Sequence, residues 1–204
     1  MSANTKIISF LCAIYNSEQW IDKLIESIPT DYAYEILFCD DCSTDSTLEK
    51  LIEWQKKIPC IKIITNEVNK GQSYSLNRLF EIAKGEYLTV FDSDDYYLPA
   101  IKEVCEMVIT KKYDIVWYDL IGNDGRLYDA RLNGVLWSGH LKMYKRSILG
   151  NARFGNEGYG DVDFTKELFK NAKSNYYTEL IAYHYNNPRE NSLHDRYVKG
   201  EFND

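Results

Sequence analysis

Short apolar segments alternate with amphipathic segments through the first hundred residues. Four apolar runs have strand length: residues 6–14, 34–39, 61–65 and 86–91. The segments between them have apolar residues at helical spacing. They are residues 16–28, a segment that contains Leu48, Leu51 and Ile52, and residues 72–84. Strands that alternate with helices favour βαβ units. The pattern therefore predicts an α/β fold with a mainly parallel sheet flanked by helices.

Acidic residues follow two of these apolar runs. Asp40 and Asp41 come directly after the second run, and Asp92, Asp94 and Asp95 come after the fourth. In open α/β sheets, ligands bind at the carboxyl ends of strands, and crowded carboxylates are costly unless they share a cation. The alternative interpretation is ordinary turn residues and helix caps. Because the same layout occurs twice, the sequence favours a ligand site that includes Mg²⁺ or Mn²⁺, which prefer oxygen ligands.

Composition narrows the classes of protein and of ligand. A chain of 204 residues with 45% hydrophobic content suits one compact domain, and a net charge of -7 argues against a nucleic-acid partner. The 17 tyrosines suit stacking on sugar rings. Five cysteines, an odd number, favour a reducing cytoplasm, and the Cys39–Cys42 spacing has no second pair to form a zinc site. The apolar residues 7–15 are too short to span a membrane.

Several short motifs also occur in a characteristic order. They are CAIYN (residues 12–16), CDDCSTD (39–45), NKG (69–71), FDSDD (91–95), WSGHLKMYKR (137–146) and EGYGDVDF (157–164). Together they resemble the signature of family 2 glycosyltransferases of GT-A fold, over roughly residues 6–193. The resemblance implies one domain with a nucleotide-sugar-binding half at residues 1–113 and an acceptor-binding half at residues 114–204. It also implies that residues 137–146 form a helix.

The resemblance implies a reaction. Such enzymes move a sugar from a nucleotide diphosphate, commonly a UDP-sugar, to a saccharide or a lipid-linked saccharide, with inversion and with Mn²⁺ or Mg²⁺ as cofactor. The type it resembles builds bacterial surface polysaccharide. That setting implies a cytoplasmic protein with peripheral contact at the inner face of the membrane.

The matching positions imply roles for individual residues. Asp161 would be the catalytic base, with Asp163 in reserve; the alternative for Asp161 is a helix cap. The implied nucleotide-binding residues are Tyr15, Asp40, Asp41, Lys70 and Asp92. The implied metal ligands are Asp92, Asp94, Asp95 and His194. For Lys70 and His194 the competing interpretations are a surface lysine and a frayed tail.

Three positions depart from the family pattern. Gly160 stands where Glu is usual, Cys42 stands where Gly is usual, and Arg78 follows Asn77 where a basic residue commonly precedes it. Gly160 favours an alternative function: a sugar-nucleotide-binding partner subunit with little or no turnover. A nucleotidyltransferase is disfavoured because residues 12–17 contain no Gly-rich phosphate loop.

Overall fold

The first half of the chain forms a parallel sheet. The computed structural model describes residues 6–130, 141–155 and 160–187, and these residues contain one sheet of nine strands. The first four are β1 (Ile8–Ile14), β2 (Ala33–Asp40), β3 (Ile61–Thr65) and β4 (Tyr87–Val90). Their order is β3-β2-β1-β4, and all pair in parallel. Every residue of β1 is buried, which is typical of a parallel strand covered on both faces.

Helices connect these strands and cover the sheet. They are α1 (Ile21–Ser27), α2 (Thr47–Lys57), α3 (Gln72–Ile82) and α4 (Ile101–Lys111). Their apolar residues recur at helical spacing, as in α3, which buries Leu76, Leu79 and Phe80. The predicted alternation of strands and helices is confirmed.

The second half of the chain extends the same sheet with mixed pairing. Its elements are β5 (Tyr96–Tyr97), β6 (Ile115–Gly122), β7 (Leu127–Tyr128), β8 (Lys142–Lys145), a 3₁₀ helix (Arg146–Ile148), α5 (Gly160–Asn171) and β9 (Asn175–Tyr185). Strand β8 lies antiparallel between β4 and β6, and β9 runs parallel to β6. The sheet is thus parallel in its first half and mixed in its second, within one domain.

An aromatic cluster fixes α5 against the sheet. The Phe164 ring stacks on Phe154 with centroids 4.3 Å apart and on Phe80 at 5.4 Å. Tyr144 on β8 meets Phe164 edge-on at 5.8 Å. Because the cluster joins α3, β8 and α5, it sets where the first turn of α5 lies relative to the sheet.

Two predicted helices differ in the structure. The helix predicted over residues 16–28 begins only at Ile21, and Asn16 is not its cap but has a left-handed φ of 46°. The helix predicted over residues 137–146 is wrong within the described part, because Lys142–Lys145 is strand β8; residues 137–140 lie outside the described residues. Strand β8 is stabilised by pairing with β4 and β6, which local sequence does not reveal.

Candidate functional site

The candidate residues follow strands that end at one edge of the sheet. The main-chain N–H of Asp41 donates to the carbonyl of Ile14 (2.8 Å), so the chain after β2 runs beside the end of β1. Because the strand order is β2-β1-β4, Asp40 and Asp41 lie on one side of β1. The acidic loop, residues 92–95, follows β4 on the other side, and Tyr15 follows β1 itself. Ligands of open α/β sheets bind at this position.

Asp41 holds the loop after β3 against the end of β2. Its carboxylate accepts hydrogen bonds from Asn66 Nδ2 (2.5 Å), from Lys70 N–H (2.9 Å) and from Gly71 N–H (2.7 Å). The residue is buried, and Gly71 beside it has a φ of 87°, a conformation that favours glycine. Asp41 therefore orders the segment of residues 66–71 that borders the site.

Asp40 has an oxygen without a partner. The residue is 2% exposed, and its Oδ2 accepts a hydrogen bond from the Ser43 N–H at 3.2 Å. Its Oδ1 is buried and has no hydrogen-bond partner among the described residues. A buried acceptor without a donor is costly, so a donor supplied by a ligand would be favoured there.

The loops after β1 and β2 are joined to each other. Asn16 Oδ1 accepts a hydrogen bond from Thr44 N–H (2.8 Å), and Ser17 N–H donates to Thr47 Oγ1 (2.8 Å). Ser17 Oγ lies 2.8 Å from Ser93 Oγ, which connects these loops to the acidic loop. The three loops at this edge are thus ordered by their own hydrogen bonds.

Tyr15 and Lys70 present their side chains at the surface. Tyr15 is 44% exposed although its ring is large and apolar. Lys70 is exposed, and its contact with Asp41 comes from the main chain, not from the ammonium group. Both side chains are accessible to a ligand.

The acidic loop is supported from distant parts of the chain. Asp92 Oδ1 accepts a hydrogen bond from Gln72 Nε2 (2.7 Å), and Asp92 N–H donates to the Tyr183 hydroxyl (3.0 Å). Asp95 Oδ1 accepts from Asn186 N–H (2.8 Å), while the buried Asp95 Oδ2 has no hydrogen-bond partner in the described structure. These contacts hold the loop at the end of β4.

Burial raises the pKa of Asp95 well above its ordinary value, and the charges of Asp92 and Asp94 raise it further. Within residues 6–130, 141–155 and 160–187, no three His, Cys, Asp or Glu side chains are grouped so that they could hold a metal ion by themselves. The chemistry of the loop nonetheless fits a divalent cation held jointly with phosphates, because Mg²⁺ commonly takes only one or two carboxylates from the protein. His194 lies outside the described residues.

Asp161 lies in the first turn of α5, where it is partly buried. Asp163, in the same turn, is exposed and forms an ion pair with Lys166 (3.4 Å). Gly160 packs against main chain: a Cβ there would lie 2.7 Å from the carbonyl oxygen of Gly155. A side chain at residue 160 would therefore collide with the main chain of Gly155 in its present position.

Gly160→Ala is expected to lower the free energy of unfolding by about 1–3 kcal/mol, as is usual when atoms are added to a packed site. Gly155→Ala is the matched control, since among the described residues its Cβ would meet only Gly160 Cα, at 3.8 Å. Urea unfolding of both variants measures the difference. Equal effects of the two substitutions would contradict the packing described.

Comparison with known proteins identifies the family. Residues 9–169 match the model for glycosyl transferase family 2. The chain belongs to glycosyl transferase family 2. The resemblance noted in the sequence is thereby confirmed.

Curated relatives are bacterial. One is the poly(ribitol-phosphate) beta-glucosyltransferase of Bacillus spizizenii, 39% identical over 94 residues, which covers 44% of this chain and 15% of the relative. Another is the UDP-Glc:alpha-D-GlcNAc-diphosphoundecaprenol beta-1,3-glucosyltransferase WfgD of Escherichia coli, 31% identical over 123 residues, covering 58% of this chain and 48% of the relative. The chain thus spans less than half of either relative.

Solved structures match the fold. S. aureus TarS in complex with UDP has a TM-score of 0.77 at 23% identity, covering 88% of this chain and 60% of TarS. The mannosyltransferase PcManGT of Pyrobaculum calidifontis, in complex with GDP-Man and Mn²⁺, has a TM-score of 0.71 at 16% identity, covering 93% of this chain and 60% of that protein. The predicted GT-A fold is confirmed.

Two departures from the family 2 pattern have structural explanations. Cys42 adopts a φ of 65°, so the turn keeps a left-handed conformation although Cys replaces the usual Gly. Arg78 donates to the carbonyl of Thr65 (2.8 Å) and to Asn66 Oδ1. The basic side chain therefore faces the segment that Asp41 also binds.

The sequence did not single out Asn66, although it links Asp41 to Arg78. An Asn directly after a short strand was the available signal. Lys142, a fully buried lysine on β8, was also missed, because no sequence pattern marks a lysine in a core. In the part of the chain that the structure describes, no helix is long and apolar enough to cross a bilayer.

Proposed function

We propose that the protein is an inverting glycosyltransferase that uses a nucleotide-diphosphate sugar, with UDP as the nucleotide and a saccharide or lipid-linked saccharide as acceptor. Family membership supports glycosyl transfer. TarS was solved with UDP and with UDP-GlcNAc, which supports UDP. The name of the E. coli relative includes a diphosphoundecaprenol-linked sugar, which supports a lipid-linked acceptor.

One observation carries the proposal. The strand ends on either side of β1 each present a buried carboxylate oxygen without a hydrogen-bond partner among the described residues: Asp40 Oδ1 and Asp95 Oδ2. A ribose or base donor would satisfy the first, and a cation carrying the diphosphate would satisfy the second. Asp41 orders the border of the nucleotide site, Tyr15 stacks on the base, and Lys70 reaches a phosphate.

The cation would be Mn²⁺ or Mg²⁺, held by Asp94 with Asp92 or Asp95 and by the diphosphate. When bound, it supplies Lewis-acid neutralisation of the charge that develops on the leaving group. PcManGT was solved with GDP-Man and Mn²⁺, which supports this assignment. His194 is proposed as a further ligand from its position in the sequence alone.

The acceptor side needs a base. The acceptor oxygen attacks the anomeric carbon while the bond from that carbon to the diphosphate oxygen breaks, and the diphosphate leaves with the bonding electrons. The proton lost by the acceptor hydroxyl goes to the carboxylate of Asp161, whose place in the first turn of α5 keeps it partly exposed. Attack opposite the leaving group inverts the anomeric carbon.

A second candidate is a sugar-nucleotide-binding subunit with weak turnover, favoured by Gly160 in place of Glu. The two functions share the donor site and differ at Asp161. Comparing sugar transfer and UDP-sugar hydrolysis by the protein and its Asp161→Asn variant separates them.

Asp94→Asn is expected to abolish the advantage that Mn²⁺ gives to UDP binding. The protein should bind UDP roughly tenfold or more tightly in Mn²⁺ than in EDTA, since a charged contact is worth about 1.5–3 kcal/mol. Calorimetric titration in both buffers measures the ratio. In the variant the ratio should fall towards one.

Asp22→Asn is the control, because it makes the same substitution at an exposed carboxylate that is paired with Lys50. It should keep the metal-dependent ratio. Equal UDP affinity of the unchanged protein in Mn²⁺ and in EDTA would remove the proposed cation site.

A further inference from the structure

Lys142 is fully buried in the middle of the sheet. It lies on β8, between β4 and β6, and its exposed fraction is 0%. Lysine is almost never fully buried unless its charge has a partner. The position of Lys142 on β8 does not by itself explain how a charged side chain is accommodated in the interior.

Two aromatic rings lie close to its ammonium group. Nζ lies 5.1 Å from the ring centroid of Trp117 on β6 and 5.9 Å from that of Phe164 on α5. The Thr89 hydroxyl on β4 donates a hydrogen bond to the main-chain carbonyl of Lys142 (3.1 Å). Tyr144, two positions along β8, packs against the same Phe164 ring. Rings offer a cation a weak attraction that does not replace water.

A negative charge that acts on Lys142 lies in the first turn of α5. Asp161 precedes Phe164 by three residues, so the two lie on neighbouring positions of one helix face, and Phe164 contacts Lys142. Burial lowers the pKa of Lys142 to about 7, and the charge of Asp161 opposes that shift. The charge of Asp161 therefore favours the protonated form of Lys142.

We propose that Lys142 is a positioning residue for Asp161. Its buried positive charge keeps this carboxylate ionised and holds it in place at the start of α5. The inference rests on the proposed function, in which Asp161 accepts the proton of the acceptor hydroxyl. A carboxylate can accept that proton only while it is ionised, and an opposite charge nearby favours the ionised form. Gly160 beside it supplies no side chain for this purpose.

Lys142→Met tests the proposal, because methionine has a similar length, no charge and a flexible apolar chain. Loss of the counter-charge should raise the titration midpoint of the Asp161 carboxyl by about one unit or more. Carbon-13 NMR of labelled aspartate measures that midpoint without any transfer reaction. The acid limb of the pH profile for sugar transfer should move to higher pH by the same amount.

Lys145→Met is the matched control on the same strand. Lys145 is paired with Asp114 at 2.8 Å and is partly exposed. Its substitution should shift the titration of Asp114 and leave that of Asp161 unchanged. A merely structural effect of altering β8 would disturb both carboxyls in both variants.

The coupling must be reciprocal. Asp161→Asn should lower the titration midpoint of the Lys142 ammonium, and Lys142→Met should raise the titration midpoint of the Asp161 carboxyl by the same amount. Nitrogen-15 NMR measures the midpoint of the Lys142 ammonium. This second measurement keeps the test decisive if Lys142→Met does not fold. Unchanged midpoints at both residues would overturn the proposal, whereas absence of sugar transfer by the unchanged protein would overturn the proposed function alone.

The folding of Lys142→Met gives a further check. Since the pKa of Lys142 is lowered on folding, the unfolded chain binds more protons between pH 7 and the ordinary value of 10.5, so this group makes stability rise with pH in that window. Urea unfolding at pH 7 and at pH 9 should show the rise in the unchanged protein and a smaller one in Lys142→Met. An equal rise in both would show that Lys142 does not titrate as described.

Discussion

Asp161→Asn is expected to reduce sugar transfer by about 10²–10⁴-fold while UDP affinity stays nearly constant. Loss of a positioned base typically costs this much in rate. Asparagine keeps the shape of the side chain and its ability to hydrogen-bond near a helix start, so the nucleotide side of the site should be unchanged. Steady-state transfer assays and calorimetric UDP titration measure the two effects separately.

Asp163→Asn is the control for this prediction, because Asp163 lies in the same helical turn but is exposed and paired with Lys166. It should transfer sugar at a rate close to that of the unchanged protein. Near-normal transfer by Asp161→Asn would assign Asp161 a structural role and make Asp163 the next candidate. Loss of transfer in both variants would indicate that the start of α5 has been disturbed.

Asp41→Ala is expected to cost about 2–4 kcal/mol of unfolding free energy and most of the UDP affinity. The substitution removes the acceptor for Asn66 Nδ2 and for the N–H groups of Lys70 and Gly71. Hydrogen bonds to a charged group contribute about 1.5–3 kcal/mol each, and shared partners make their sum smaller than additive. Urea unfolding and calorimetric titration measure the two losses.

Asp22→Ala provides the comparison, since Asp22 also accepts two side-chain hydrogen bonds, from Lys50 and Trp54, but at the surface. An exposed pair contributes about 0–1 kcal/mol, so its loss should be small. If Asp41→Ala costs no more than Asp22→Ala, Asp41 does not hold the loop as its contacts indicate.

The parallel half of the fold could be predicted because its signals are local. The predicted strand Ile61–Thr65 has the bounds that the structure shows, and the helix predicted from residue 72 begins there. Short apolar runs and helical spacing are properties of neighbouring residues. The positions of Asp40 and Asp92 at strand ends followed from the same pattern.

The predictions that failed depend on distant partners. The predicted helix includes residues 16–20, but Asn16 and Ser17 form hydrogen bonds with the loop after β2 instead. Strand β8 is stabilised by pairing with β4 and β6 on its two sides, and the buried ammonium group of Lys142 lies 5.9 Å from the Phe164 ring of α5. Such tertiary contacts override local propensity.

The supports of the acidic loop have a consequence for synthesis of the protein. Besides Gln72, which precedes the loop, Asp92 and Asp95 have Tyr183 and Asn186 as partners, each 91 residues later in the chain. At a translation rate of about 5–20 residues per second, the loop exists for roughly 5–20 s before these later partners have been made. A nascent chain stopped before Tyr183 would contain the whole acidic loop but could not organise it, so donor binding should begin only when the last strand of the sheet has been added.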